Sequence, residues 1–248
     1  MNNPVPEILK EKYSINSADT DFTRRIKVSS LTNMFIQSAW HHAEDLGFGI
    51  HVLHRQNCVW MLSRFRLRLL KIPSFNETIS INTWPKGIHR LFYQRDFEVF
   101  AANNTEIALG TSEWLIIDLK ARRPRLIDAD HHIFNPGQVR HAIDEPVPVL
   151  DTPATRSEHY KRQVRYSDID LNQHLTTTRY IDWMFDTFEP EFLKENSCTE
   201  VIVNFLREIP HNTVAEIARF NSEEVNTFCF ELTNSGKKLV FFRGQLVF

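Results

Sequence analysis

Glycine is scarce in this chain, 7 of 248 residues. Neither G-x-G-x-x-G nor a Walker-type loop occurs, which removes the glycine-built cradles that hold nucleotide phosphates on backbone N–H groups. Cysteine is also thin. Cys58, Cys198 and Cys229 form an odd, widely spaced set, which fits neither a disulfide framework nor a zinc site. Charge of one sign is missing: the net charge of -2 exerts no global pull on nucleic acid, so no nucleic-acid partner is expected. No run of about 18 apolar residues is present to span a bilayer. The opening "MNNPVPEILKEKYS" has no basic segment followed by an apolar one. The matching expectations are no membrane partner, no signal peptide and a cytoplasmic, reducing location. The paired histidines His41-His42 and His131-His132 lack the helical spacing of a ligand set. Surface or capping roles are expected for them, and no metal.

Aromatic residues, by contrast, are plentiful, with 19 Phe and 5 Trp. That much flat apolar surface would suit a long apolar ligand, and extra core is the plainer explanation. The chain also rhymes with itself. "TDFTRRIKVSSLTNMFIQSAW" (Thr20 to Trp40) and "SDIDLNQHLTTTRYIDWMFDT" (Ser167 to Thr187) each give an acidic opening, a Ser/Thr cluster and a helix. "LRLLKIPSFNETISI" (Leu67 to Ile81) and "NFLREIPHNTVAEI" (Asn204 to Ile217) each give a strand, an Ile-Pro corner and a strand. Between the halves, Asn135 to Ser157 carries four prolines and no periodicity, and reads as an extended linker. The expected domains are 1–134, a linker 135–157, and 158–248.

In the second half, Thr176 to Phe188 reads as a helix with one narrow wet stripe: Arg179, Asp182, Asp186 and Glu189. Tyr180, Ile181, Trp183, Met184, Phe185 and Phe188 fill the rest of its circumference, so protein should nearly surround it. "HYKRQVRY" precedes it as a strand. Strands are expected at Thr199–Glu208, Thr213–Phe220, Val225–Thr233 and Lys238–Phe248. A sheet wrapped around one helix, twice over, is an α+β double hot dog. A generic α+β sandwich is the rival that the repeat disfavours.

Asp170, Asn172 and His174 occupy alternate positions just before the second helix. Were that segment extended, all three would face one volume beside a helix N-terminus, where unpaired N–H groups near Leu175, Thr176 and Thr177 could stabilise an oxyanion. The plainer alternative is that they cap and turn the chain. Ungapped superposition of the halves sets Thr23, Arg25 and Lys27 opposite the three, and the Ile-Pro corners set Lys71 opposite Glu208. On that register the carboxylate–amide–imidazole set occurs only once.

"SDIDLNQHLTTTRYIDW" resembles the D-x-N-x-H-x-N-N-x-x-Y-I-x-W signature of the acyl-acyl carrier protein (ACP) thioesterases, plastid enzymes and bacterial relatives. "VNFLREIPHNTV", "WMLSRFRLRLLKIPSFNETISINTWP", "YQRDFEV" and "TSEWLIID" are similar to further segments of that family, in order along nearly the whole chain. The resemblance implies hydrolysis of fatty acyl-ACP by Asp170, Asn172, His174 and Glu208 in a double hot dog. Two positions depart from the family: Thr176-Thr177 replaces a pair of Asn, and Ile209 stands where the family has Cys beside the Glu. A Cys nucleophile is therefore not available by analogy, which leaves water or a transient anhydride. The expected base is Glu208 or His174, with Asp170 orienting His174 or Asn172. No cofactor is expected, because the substrate carries its own 4'-phosphopantetheine. The implied partners are an acyl carrier protein, which is acidic, and a fatty acyl chain; the chain itself is read as monomer or homodimer. Met34, Phe35, Ala39 and Val59 are the candidate acyl-tunnel residues, in a first half without a catalytic set. Basic clusters at Arg64, Arg66 and Arg68, at Ala121–Arg125 and at Lys161–Arg165 are read first as solvated faces. An acyl-CoA thioesterase, a hot-dog dehydratase (its G-H-F-P-type loop is absent) and a non-enzymatic acyl-binding protein remain the alternatives.

Overall fold

The computed structural model describes residues 8–127, 140–152, 157–236 and 239–248, so His131-His132 lies outside the described residues. The chain forms two compact units. Unit 1 holds the described residues through Ile26 and Leu31–Val147; unit 2 holds Lys27–Ser30 and those from Pro148 on.

Unit 1 contains β1 (Leu9–Ser14), α1 (Val28–Asp45) from Leu31 on, α2 (Ile50–Arg55), β2 (Cys58–Leu69), β3 (Thr78–His89), β4 (Phe92–Ala101), β5 (Glu106–Asp118) and the two-residue β6 (Arg123–Pro124). Its strands run antiparallel in the order β1-β3-β4-β5-β2. Unit 2 contains β7 (Ser157–Gln163), α3 (Thr177–Phe185), α4 (Pro190–Glu195), β8 (Glu200–Phe205), β9 (Val214–Asn221), β10 (Thr227–Asn234) and β11 (Val240–Val247). Its order, β7-β9-β10-β11-β8, is that of unit 1 element for element.

In each unit the long helix packs on its sheet. Along α1, Leu31, Met34, Phe35, Ser38, Ala39 and His42 are buried, steps of three and four that make one face. Phe35 stacks on Phe97 at 4.7 Å and meets Phe65 edge-on at 5.9 Å. A glycine makes room below: a Cβ at Gly110 would lie 2.9 Å from Phe35 Cε2. Unit 2 repeats the device, with Gly244 beneath Met184. Substitution at either glycine would drive the helix off the sheet or force the large side chain to move.

Three features go against or beyond the expectations. The helix read as Thr176–Phe188 stops at Phe185, where Thr187 Oγ1 donates to the Met184 carbonyl at 2.7 Å. Phe188 then starts an aromatic cluster with Phe192, Phe228 and Phe248, and Pro190 opens α4 at a position that tolerates its missing N–H. Second, the described part of the linker is tied down. Ala142 N donates to Asp96 Oδ2 at 2.8 Å, and Lys86 Nζ donates to the Ile143 carbonyl. Farther along, Asn204 brackets Pro148 and Leu150, and Arg243 holds Leu150 and Thr152. Third, His42 is fully buried rather than on the surface, whereas His41 is exposed and pairs with Glu11 at 2.7 Å. The basic face of β2 is half-buried and covered by acid: Arg64 meets Glu113 at 2.7 Å, and Arg68 meets Glu145 at 3.4 Å.

Candidate active site

The segment before α3 is not extended. Tyr166–Asp168 forms a single 3-10 turn, and residues 170–174 close a second turn around Asp170. Asp170 Oδ1 accepts from the backbone N–H of Asn172 at 2.9 Å and of His174 at 3.2 Å. Asp170 N donates to the His174 carbonyl at 2.9 Å, and Gln173 sits at φ 63°, in the left-handed region. Alternate side chains therefore do not share a pleated face here. The carboxylate holds the turn, acting on the backbone of Asn172 and His174.

Unit 1 makes the same turn. Asp21 Oδ1 accepts from Thr23 N at 2.7 Å and Arg25 N at 3.3 Å; Asp21 N donates to the Arg25 carbonyl, and Arg24 sits at φ 66°. The corner that follows matches too: Ile26 N donates to the Pro73 carbonyl and Leu175 N to the Ile209 carbonyl. The register of the halves is thus two residues from the ungapped one at the turn and one residue from it at the corner. Asp21 faces Asp170, Thr23 faces Asn172, Arg25 faces His174 and Ile72 faces Glu208. The aspartate is common to both units and structural in both. Asn172, His174 and Glu208 are what unit 2 adds.

His174 and Glu208 come together across the isolated bridge between His174 and Pro210. Nε2 lies 3.6 Å from Glu208 Oε2, and the side chains are 31% and 45% exposed. His174 Nδ1 is buried without a hydrogen-bond partner among the described residues, so the solvent-facing half of the pair is Glu208 with Nε2. Asn172 is exposed in the same turn. Two of the three N–H groups expected to stabilise an oxyanion are engaged: Leu175 N by Ile209 O and Thr176 N by Asp168 O, both at 2.8 Å. Thr176 is the N-cap of α3, so the first-turn donors without an intrahelical acceptor are Thr177 and Thr178. Beneath lies Tyr180, which the sequence reading placed only in the core. Burial pushes its phenol up, and the nearby charges of Glu208 and Asp170 add to the effect, against the Ile209 backbone.

The cysteines stand apart from this site. Cys58 and Cys198 are buried, and burial pushes the Cys198 thiol up to about 12. Ile209 is fully buried.

Of the four acyl-tunnel candidates, Ala39 lines an open cleft in unit 1, with Trp40, Phe48, Trp60, Tyr93 and Trp114 among its walls. Met34 and Phe35 are buried in the core beside it, and Val59 is half-buried on β2.

The family model of the acyl-ACP thioesterase N-terminal domain matches residues 6–132, and that of the C-terminal domain residues 152–244. This chain belongs to the acyl-ACP thioesterase family. Among similar proteins is the oleoyl-acyl carrier protein thioesterase 2 of Arabidopsis thaliana, 22% identical over 244 residues, 91% of this chain and 66% of that protein. An acyl-[acyl-carrier-protein] hydrolase of Cuphea viscosissima is 22% identical over 222 residues, 84% of this chain and 54% of that protein. Both are chloroplastic proteins, and the chain spans between half and two thirds of their length. Among solved structures, an acyl-ACP thioesterase from Bacteroides thetaiotaomicron superposes with a TM-score of 0.89 at 26% identity, covering 97% of both chains. The 12:0-ACP thioesterase from Umbellularia californica gives 0.86 at 16% identity, covering 99% of this chain and 98% of that one. The acyl-ACP thioesterase fold, a double hot dog, is the fold found here.

Proposed function

We propose that this chain hydrolyses the thioester of fatty acyl-ACP to free fatty acid and holo-ACP, ending fatty acid synthesis. The observation that carries this reading is the His174–Glu208 pair, 3.6 Å apart, built onto one copy of a turn that occurs twice, in a chain of this family. Both groups reach solvent, so a water can stand between the pair and a bound thioester. The base takes a proton as the water oxygen attacks the carbonyl carbon, the usual division of work in general-base catalysis. The Thr177 and Thr178 N–H groups, at the positive end of α3, favour the oxyanion that forms. Its collapse breaks the C–S bond, and the proton returns to the departing phosphopantetheine thiolate. Water and side chains suffice for this sequence of steps, so no cofactor enters it. The apolar cleft of unit 1 is the proposed seat of the acyl chain, with an acyl carrier protein as partner.

Steady release of free thiol from acyl-ACP, compared with the same acyl-CoA, tests this reading. Release from acyl-ACP is the expected result. Release from acyl-CoA alone would reassign the substrate, formation of an enoyl product from 3-hydroxyacyl-ACP would indicate a dehydratase, and binding without release an acyl-binding protein.

A further inference from the structure

The wall of the unit 1 cleft carries a group that a purely hydrocarbon ligand does not need. Arg95 on β4 lines the cleft and is buried. One of its guanidinium nitrogens donates to His42 Nδ1 at 3.1 Å and to Thr83 Oγ1 at 3.2 Å. Because an arginine has only donors, His42 Nδ1 accepts here. Both acceptors are neutral, and among the described residues no ion pair joins Arg95 to a carboxylate. Burial pulls the guanidinium down to about 9, with no charged neighbour offsetting the pull. The adjacent carboxylate, Asp96, meets Lys86 and the Ala142 N–H instead, as alternation along a strand directs.

Several other polar groups on the cleft wall are already engaged. Trp60 Nε1 donates to the Phe48 carbonyl at 2.8 Å, Trp114 Nε1 to Ser112 Oγ at 2.8 Å, and Gln94 Nε2 to Glu113 Oε1 at 3.2 Å. Tyr93 Oη accepts from Ile127 N at 3.3 Å. Trp60, Tyr93 and Trp114 thus present ring surface to the cleft, and Arg95 is a buried charge with neutral partners. Such a charge is costly to keep unless an acceptor completes its hydrogen bonding.

We propose that this cleft takes an acyl chain bearing an oxygen substituent, a hydroxyl or a carboxylate, which Arg95 hydrogen-bonds while the Trp40, Trp60 and Trp114 rings pack on the methylenes. The inference rests on the acyl-ACP reading for its substrate, but binding tests it separately. First, decanoate and methyl decanoate are titrated against the full chain, with tryptophan fluorescence as readout, since three of the lining residues are Trp. Decanoate should bind about tenfold or more tightly than the ester, the scale of one hydrogen bond to a charged group, and Arg95→Met should bring the two together. Equal binding of acid and ester by the unaltered protein overturns the proposal, whatever the protein does to thioesters. Second, decanoyl-, 10-hydroxydecanoyl- and 9-carboxynonanoyl-ACP are compared by kcat/KM. A preference for either oxygenated chain that Arg95→Met abolishes supports the proposal and tells hydroxyl from carboxylate. Hydrolysis that favours the plain chain, with a ranking Arg95→Met does not alter, overturns it and leaves the thioesterase reading standing. Hydrolysis of none of the three, with decanoate still preferred to its ester, counts against the thioesterase reading alone.

Discussion

His174 Nε2 faces Glu208 Oε2 across 3.6 Å, at a place where unit 1 sets Arg25 against Ile72. If this pair activates water, Glu208→Gln and His174→Ala should each lower turnover on acyl-ACP by roughly 10²-fold or more. The double variant should fall little below the worse single one, because groups acting as a unit are not additive. Losses that multiply would show that the two side chains work independently.

Asp170 and Asp21 hold equivalent turns, so removing either should cost stability alike. Asp170→Ala and Asp21→Ala should each destabilise by on the order of 1 kcal/mol, the net worth of a hydrogen bond, read as a shift in denaturation midpoint. Below the melting range, Asp21→Ala should keep turnover within a few-fold, while Asp170→Ala loses more because His174 hangs from its turn. Equal activity losses in the two variants would contradict the division between the units.

Replacing Cys58, Cys198 and Cys229 together by Ala should spare turnover per folded molecule, although the buried ones leave small cavities that lower the melting temperature. Inactivation of the unaltered protein by a thiol reagent, with loss of that sensitivity in the triple variant, would reinstate a cysteine.

Asp96 offers a pH test. Burial raises its carboxyl above the ordinary range, and Thr111, Lys86 and the Ala142 N–H offset only part of the rise. The folded state therefore holds this proton more tightly than the unfolded chain does. That contribution is fully present below the unfolded value of 3.8 and is lost as pH rises through the folded value. Relative to Asp96→Asn, which cannot titrate, the unaltered protein should lose stability as pH rises above about 4. Denaturation midpoints of both proteins at several pH values give the difference, and a trend of the opposite sign would refute the assignment.

Narrowing the unit 1 cleft should shorten the preferred acyl chain. Ala39→Phe fills space beside Trp40 and Trp60, and each methylene denied burial removes about 0.8 kcal/mol. The release profile across acyl-ACP chain lengths should move to shorter chains. An unmoved profile in a folded variant would place the chain elsewhere.

The duplicated order of helix and strands was legible because apolar periodicity survives divergence, and the motif around His174 identified the family. The register between the halves was not legible. The Ser/Thr clusters that invite superposition are not the parts that coincide; an aspartate and a left-handed residue are, at Asp21 with Arg24 and Asp170 with Gln173. The tethering of residues 140–152 was hidden because its partners, Asp96, Lys86, Asn204 and Arg243, lie far away in sequence. Helices α2 and α4, six residues each, are too short to show a period. Arg95 read as part of a family-like segment, and only burial beside His42 reveals it as a charge on a cleft wall.

The paired turns have a consequence for how such a chain can change. In a dimer of identical subunits, every substitution arrives twice, and a histidine useful in one copy must be tolerated in the other. Here the two copies share one polypeptide and are written separately. Glu208 could arise opposite His174 while its counterpart stayed an isoleucine, and a cleft could open under one helix without loosening the other. The asymmetry is inherited, with no need for two genes to be expressed together or for unlike subunits to find each other.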